Sequence, residues 1–355
     1  MKAKEKQLSI EYIRLLACLI VVACHVNFFL HDDAAHRFLK TVYFCLFSDG
    51  VAVFWMITGC FLFSGTDYLS LWKRVLRRVA LPAVCLFILC LALSSWKLPP
   101  ENFDHTWYIQ VYLTVTAVFP LLRRFVDFLD HGKYRDLVFL ILSFLLFLFN
   151  DLTQNSLLHF GFSPVSGLLP ACAQILWGHI LYRRLRGARL QQESAPRKKH
   201  GVLLSGMVSA LLFLLLNLLR AYIQLQLYGN NCDYNLRVWH TSFSLICAAC
   251  VLAPAAKASA IRSEKPISLS APRLRLQKLL CGAASYTFGI YLIHPVAAAL
   301  LKSAGLWKLV QERLFPYGPA SACFLAIGTL LLFSLSLGVC FLLRRFTNAA
   351  AALLR

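Results

Sequence analysis

The chain has 355 residues, 59% of them hydrophobic, and its formal net charge at pH 7 is +20. Because soluble domains are only about 45–50% apolar, this composition excludes an ordinary soluble domain. A strongly basic soluble chain would suggest nucleic acid as its partner, but here long apolar stretches with few charges recur along the sequence. We therefore predict an all-α, polytopic transmembrane helical bundle and expect no nucleic-acid partner.

Ten apolar stretches each approach about 20 residues, the length at which a helix crosses a bilayer. The predicted spans are roughly 9–30, 42–63, 77–95, 106–122, 136–150, 165–182, 202–225, 240–256, 283–301 and 320–343. Most of the 36 Lys and Arg residues fall in alternate loops, as the positive-inside rule expects of cytoplasmic loops. This alternation predicts an even number of spans, with both termini in the cytoplasm. No repeat or linker divides the chain, so residues 1–355 are predicted to form one integral membrane domain.

The first predicted span carries three ionisable side chains, Glu11, Arg14 and His25. A charged side chain at membrane depth costs about 2.5–3.5 kcal/mol on the insertion scale, so it needs a partner, a watery cavity or a function. Eleven helical residues turn through about 1100°, so Arg14 and His25 would share one buried face, about 16 Å apart along the axis. Glu11 lies one turn before Arg14, where its carboxylate would orient the guanidinium. The alternative is a snorkelling arginine and a histidine hydrogen-bonded within the bundle.

A basic stretch, WKRVLRRVALP at residues 72–82, opens the third predicted span. Arg74 lies three and four residues before Arg77 and Arg78, so these side chains would share one helix face. Guanidinium groups bind phosphate oxygens in a forked geometry, and a cluster of them is a candidate polyphosphate site. The alternative is an ordinary topology signal at the end of a cytoplasmic loop.

The stretch HTWYIQVYL begins the fourth predicted span at its outer end with His105, Trp107 and Tyr108. These three residues could line the outer opening of a site, on the side from which a second substrate, the acceptor of a transferred group, would enter. An interfacial aromatic belt would explain Trp107 and Tyr108 without any function.

The stretch SYTFGIYLIHP, residues 285–295, places polar atoms in the ninth predicted span. Pro295 has no N–H, so it frees the backbone carbonyl of Tyr291 four residues earlier. His294 and His25 would both lie in the outer half of the bilayer, which makes His294 a candidate to orient His25 in catalysis. The alternative role for His294 is a hydrogen bond that supports a kink. Tyr291 is a further candidate on the acceptor side.

The stretch SDGVAVFWMITGCFLF, residues 48–63, forms the second predicted span and enters from outside. Asp49 at its start would either pair with a histidine, as a member of the catalytic group, or cap the helix. Thr58 and Gly59 predict close helix packing and no chemistry. Arg220, near one end of the seventh span, is predicted to snorkel to the interface.

In this order the stretches resemble signatures of the membrane acyltransferase 3 family, the bacterial O-acyltransferases that modify surface glycans. Glu11, Arg14 and His25 resemble the family's acidic-x-x-Arg and Arg-x(10)-His patterns. Four further stretches resemble the family's second, third, fourth and late spans, in this order: VAVFWMITGCFLF, KRVLRRVALP, HTWYIQVYL and SYTFGIYLIHP. Members that act on O-antigen often carry an acidic residue where this chain has Ala52. Peptidoglycan-acetylating relatives carry an extra esterase-like domain, so this chain, ending at Arg355, is expected to resemble the stand-alone members.

The resemblance implies transfer of an acyl group, most simply acetyl, from acyl-CoA to a hydroxyl of a cell-surface or lipid-linked glycan. It implies a catalytic role for His25, with acetyl-CoA as a co-substrate and no bound cofactor. It also implies that Arg14 helps to bind the donor together with two of Arg74, Arg77 and Arg78, and leaves open which two. None of the 13 cysteines has a metal-ligand spacing, so no metal site is predicted.

In this mechanism the cytoplasmic arginines hold the donor's phosphates, and the acyl-carrying arm rises about 16 Å to His25. His25 would then act as a general base on the acceptor hydroxyl or accept the acyl group covalently, and both routes stay open. We expect the protein in the bacterial inner membrane, in contact with its lipids, and the oligomeric state is left open. The rival class is a transporter or flippase of a lipid-linked or anionic substrate, although the sequence has no inverted repeat.

Overall fold

The computed structural model describes residues 8–26, 34–64, 67–94, 107–132, 134–153, 167–190, 200–228, 241–262, 271–305 and 318–353. Every regular element within these ranges is helical, which confirms the predicted all-α class. The helices are α1 (Leu8–Cys24), α2 (Ala34–Phe47), α3 (Gly50–Leu62), α4 (Tyr68–Val75), α5 (Leu81–Ser94), α6 (Trp107–Ala117), α7 (Phe119–Asp130), α8 (Arg135–Thr153), α9 (Leu168–Leu190), α10 (His200–Tyr228), α11 (Ser242–Arg262), α12 (Ala271–Ala284), α13 (Thr287–Ser303) and α14 (Gly318–Leu353). A π-helical turn, Leu76–Ala80, joins α4 to α5.

Three helical segments in the described ranges are long and apolar enough to cross a membrane: Thr41–Leu62, Leu204–Gln226 and Leu325–Arg345. The total rises to five if two broken pairs, α6 with α7 and α12 with α13, each count as one span; both pairs are bent by 65°. The first segment coincides with the predicted second span. The prediction of ten spans with cytoplasmic termini stays a prediction.

The centre of the bundle is formed by α1, α3, α9 and α11. α3 packs against all three of the others, and α9 also packs along α11. Their contact is filled by small and branched side chains, for example Ala17, Val53 and Ala256, none of which is exposed. The remaining helices surround this centre, with α13 and α14 packed together on the other side of α1.

The contact between α3 and α9 brings the two backbones together. A Cβ atom added to Gly59 would lie 1.9 Å from the carbonyl oxygen of Ile175, and one added to Gly178 would lie 2.0 Å from that of Met56. No side chain fits at either position, so only glycine permits this approach. The close packing predicted at Thr58-Gly59 is therefore confirmed.

Helix α10 is polar where it faces the protein and apolar where it faces outward. Leu211, Leu215 and other leucines along it are exposed, whereas Asn217, Arg220 and Gln224 are buried. A soluble helix has the opposite arrangement. Polar side chains that turn into the bundle while leucines face outward are typical of a helix in a bilayer.

Candidate active site

The side chains of Arg14 and Glu11 form an ion pair one turn apart on α1. One guanidinium nitrogen, Nη1 of Arg14, donates to both carboxylate oxygens of Glu11, at 2.8 and 2.9 Å. The carboxylate is buried, while about 30% of the Arg14 side chain is exposed. Glu11 thus holds the guanidinium in place, as the i, i+3 spacing predicts, and leaves its remaining N–H groups to bind other acceptors.

The arginine-rich stretch, residues 72–82, is helical throughout but is not a regular α-helix along its whole length. Asp67 caps α4 by accepting a hydrogen bond from the backbone N–H of Ser70 at 3.2 Å. The helix then widens into the π-helical turn, in which the N–H of Leu81 bonds to the carbonyl of Leu76 five residues earlier. Pro82 follows and has no N–H to bond to the carbonyl of Arg78, which favours this irregularity.

A cavity of about 350 Å³ lies beside these arginines. Its wall is built from α1, α3, α4 with the π-helical turn, α6 and α13, and consists of Arg14, Val21, Val51, Phe54, Ile57, Thr58, Phe61, Leu62, Leu71, Arg74, Val75, Arg78, Val79, Tyr108, Tyr112, Thr287, Phe288 and Tyr291. Arg14 and Val21 are seven residues apart on α1, so the cavity extends about 10 Å along that helix. Three guanidinium groups and a mainly apolar, aromatic wall therefore share one space.

Of the three arginines in the basic stretch, Arg74 and Arg78 line the cavity and Arg77 does not. All three are exposed. In a regular α-helix Arg77 and Arg78 would each neighbour Arg74 but would point about 100° away from each other. The π-helical turn begins between Arg74 and Arg77 and changes the angular spacing of the residues within it.

Aromatic rings from α3, α6 and α13 pack together at the cavity wall. The rings of Tyr108 and Tyr291 are 5.3 Å apart, and those of Trp55 and Tyr108 are 4.5 Å apart. Tyr112 packs against both rings, with its ring centroid 5.9 Å from that of Trp55 and 6.2 Å from that of Tyr108. Two of the candidate acceptor-side residues, Tyr108 and Tyr291, therefore lie in the cavity wall.

Beyond this aromatic group, His25 and His294 meet. Their ring centroids are 4.9 Å apart and the ring planes are inclined by 57°. His25 lies in the turn that ends α1, where its N–H bonds to the carbonyl of Val22 at 3.1 Å. The sequence expectation that these two histidines lie close together is met, although their roles in catalysis are not thereby tested.

The hydrogen bond at His294 fixes its tautomer. Nδ1 of His294 lies 3.1 Å from the carbonyl oxygen of Ile290, one turn earlier on α13. A carbonyl oxygen only accepts, so Nδ1 carries the proton, and in the neutral ring Nε2 has the lone pair. His294 is completely buried, which makes it a fixed partner for the half-buried His25.

The cavity wall includes Arg14 but stops short of His25. Val21 is its last residue on α1, about 6 Å before His25 along the helix, and Tyr291 is one turn before His294 on α13. The expectation that Arg14 and His25 face one open cavity is thus met at the Arg14 end only. Tyr291, whose ring centroid lies 6.0 Å from that of His294, is the last wall residue on α13 before the histidine pair.

Asp49 pairs with an arginine. Nη1 of Arg220 donates to Oδ1 of Asp49 at 2.8 Å, and Nδ2 of Asn217 donates to Oδ2 at 3.2 Å. The Asp49 side chain forms no cap on α3. Arg220 and Asp49 are both fully buried, so the prediction that Arg220 snorkels to the interface is wrong. An internal carboxylate satisfies its guanidinium instead.

The other candidate residues are placed as follows. Trp107 is half-buried at the start of α6, and its ring lies 6.1 Å from that of Tyr108. His105 lies outside the described residues. Tyr112 and Thr58, which the sequence patterns did not indicate, also belong to the cavity wall. The Thr58 hydroxyl donates a hydrogen bond to the carbonyl of Phe54 at 2.9 Å.

Comparison with known proteins identifies the class. A family model described as an acyltransferase domain, that of the acyltransferase 3 family, matches residues 7–345. The chain therefore belongs to the acyltransferase 3 family, as its motifs suggested, and its apolar helices agree with a multi-pass membrane protein. Neither a search of curated proteins nor a search of solved structures gave a match.

Proposed function

We propose that the protein is a bacterial inner-membrane O-acyltransferase that moves a short acyl group, acetyl in the simplest case, from acyl-CoA to a hydroxyl of a surface or lipid-linked glycan. The observation that carries this proposal is the cavity, in which Arg14, Arg74 and Arg78 are followed by apolar and aromatic side chains that lead toward His25 and His294. Acyl-CoA has the matching polarity, with phosphates at one end and a long neutral arm that carries the thioester.

The donor would bind with its phosphates at the predicted cytoplasmic end. Forked guanidinium groups match phosphate oxygens, and charge-assisted hydrogen bonds are about twice as strong as neutral ones. Arg14 would contribute from α1, Arg74 from α4 and Arg78 from the π-helical turn; among the three arginines of the basic stretch we favour Arg74 and Arg78, because both line the cavity. Arg77 would then serve as an ordinary positive residue at the membrane surface.

His25 would act on the acceptor hydroxyl. As a general base it would take the hydroxyl proton while the oxygen attacks the thioester carbonyl; the C–S bond breaks and the CoA thiolate recovers the proton. A covalent acyl-histidine would reach the same products in two steps. In either route, the basic Nε2 of His294 would accept a hydrogen bond from His25 and orient its ring.

Inverted membrane vesicles provide the test, because they expose the predicted cytoplasmic face to added donor. Vesicles containing the protein, supplied with radiolabelled acetyl-CoA, should transfer label to a glycan or glycolipid fraction, and vesicles without the protein should not. Mass spectrometry of surface polysaccharides from a deletion strain should show the same acyl group missing. Label that stays on CoA, with glycans unchanged by the deletion, would refute acyl transfer.

The alternative function, a transporter or flippase, predicts a different result in the same vesicles. A transporter would move an intact lipid-linked or anionic substrate across the bilayer and leave the thioester of acetyl-CoA unbroken. Transfer of the acyl label therefore separates the two classes directly.

A further inference from the structure

The cavity wall ends one helical turn before the histidine pair. Val21 and Tyr291 belong to the cavity wall, whereas His25 and His294, one helical turn farther along α1 and α13, do not. A donor bound in this cavity would therefore have to extend past the wall at Val21 and Tyr291 to reach the residues proposed to carry out the transfer.

The side chains packed around Tyr291, at this end of the cavity wall, are aromatic. Tyr291 is only 7% exposed and has Tyr108 on one side, at 5.3 Å between ring centroids, and His294 on the other, at 6.0 Å. Trp55, which is fully buried, backs Tyr108 at 4.5 Å. Close-packed rings leave little room for water between Tyr108 and His294.

We propose that Tyr108 and Tyr291 form a tyrosine seal that makes the site selective for a sugar hydroxyl over water; this inference rests on the proposed acyl transfer. Water is the competing nucleophile for any thioester that lies beside a general base. If water attacks, its oxygen bonds to the acyl carbon, the C–S bond breaks, and free carboxylic acid and CoA thiol leave without modifying the glycan. Closed active sites suppress such side reactions by excluding water.

The seal has to open for the transfer itself. Tyr291 lies on α13 one turn before Pro295, and rotation of its side chain would allow the acyl end of the donor to pass from Val21 toward His25. While the donor arm fills the passage, the arm itself keeps water out. The same rings would thus close the passage before the donor arm enters it and line the passage once the arm is bound.

The test compares hydrolysis with transfer in inverted vesicles supplied with radiolabelled acetyl-CoA. Released acetate and acylated glycan are measured separately and normalised to the folded protein found by size-exclusion chromatography. Tyr291→Ala should raise the ratio of hydrolysis to transfer by about tenfold or more, because water then reaches the thioester. Tyr108→Ala should act in the same direction, and Tyr291→Phe, which keeps the ring, should change the ratio far less than Tyr291→Ala.

Two controls tie the effect to the seal. Phe147→Ala removes a buried aromatic ring from α8, away from the cavity wall, and should leave the ratio unchanged. Adding His25→Ala to Tyr291→Ala should return acetate release to background, because the hydrolysis would use the same base. If Tyr291→Ala does not accumulate, Tyr108→Ala and Tyr291→Leu test the same layer.

The outcomes are distinguishable from failure of the proposed function. Wild-type transfer together with an unchanged ratio in Tyr291→Ala and Tyr108→Ala would overturn the seal and leave acyl transfer intact. Absence of both acetate release and glycan labelling in wild type and in every variant would overturn the proposed function, and the seal with it. Equal hydrolysis by Phe147→Ala and Tyr291→Ala would mean that general loosening is the cause, and would overturn the seal alone.

Discussion

The guanidinium of Arg220 and the carboxylate of Asp49 form an ion pair to which solvent has no access: Nη1 and Oδ1 are 2.8 Å apart and both side chains are 0% exposed. The pair joins α10 to the junction between α2 and α3. Arg220 also donates to the carbonyl of Cys45, and Asn217 completes the group by donating to Asp49. Because Gly50, the next residue, packs on Ala17 and Val21, this junction lies against the helix that carries Arg14 and His25.

Removal of one partner of this pair should destabilise the protein strongly. Asp49→Ala leaves a buried guanidinium without its counter-charge, and such a change costs about 3–5 kcal/mol. The thermal unfolding midpoint of the purified protein in detergent should fall accordingly. The double variant Asp49→Ala with Arg220→Met removes both charges and should recover much of the loss. A single variant as stable as wild type would contradict this account of the pair.

The backbone contact between α3 and α9 gives a second prediction. Gly59→Ala and Gly178→Ala each place a methyl group within about 2 Å of a carbonyl oxygen on the opposite helix, so the helices have to separate. Overpacking costs about 1–3 kcal/mol, and more where backbone has to move, so both variants should lower the yield and thermal stability of folded protein. Gly338→Ala on α14 meets no atom within 4 Å and is the matched control. Equal stability of Gly59→Ala and Gly338→Ala would contradict the close approach.

The positions of the three arginines relative to the cavity wall give a third prediction, on donor binding. Arg74→Ala and Arg78→Ala should each raise the KM for acetyl-CoA about tenfold or more, because a hydrogen bond to a charged group contributes about 1.5–3 kcal/mol. Arg77→Ala removes an equal charge from the same stretch, off the cavity wall, and should leave KM nearly unchanged. Initial rates against donor concentration measure this directly. A larger effect of Arg77→Ala than of Arg78→Ala would exclude the proposed phosphate site.

His294 gives a fourth prediction because it lies outside the donor cavity and against His25. His294→Ala should lower kcat and leave the KM for acetyl-CoA close to the wild-type value, since the ring orients the base and does not touch the donor's phosphates. The imidazole of His25 loses in this variant the neighbour whose ring centroid lies 4.9 Å away. An unchanged kcat with a raised KM would assign His294 to donor binding instead.

The sequence predicted those parts of the site that depend on helical periodicity. Glu11 and Arg14 were expected to pair because residues three apart on a helix are neighbours, and they do. Gly59 was expected at a close helix contact, and it lies in one. The all-α class followed from the apolar stretches alone. In each case the relevant spacing is local, so the residues within one helix were sufficient.

The parts that the sequence missed depend on contacts between distant segments. Arg220 was expected at the interface because its partner, Asp49, lies 171 residues earlier and nothing local indicates the pairing. Arg77 was grouped with Arg74 and Arg78 on one helix face, but it lies off the cavity wall, within a π-helical turn that residue spacing alone does not predict. Pro82, which withholds a backbone N–H from this turn, was the signal that could have revealed it.

The most direct test of the account is the rate at which inverted vesicles transfer radiolabelled acetyl from acetyl-CoA to glycan when His25 is replaced by alanine. A general base contributes typically about 10²–10⁴-fold, so the His25→Ala rate should fall by about two orders of magnitude or more. His131→Ala, which removes an exposed imidazole at the end of α7, should keep the wild-type rate. Wild-type transfer by correctly inserted His25→Ala protein would contradict the central claim that this histidine is catalytic in acyl transfer.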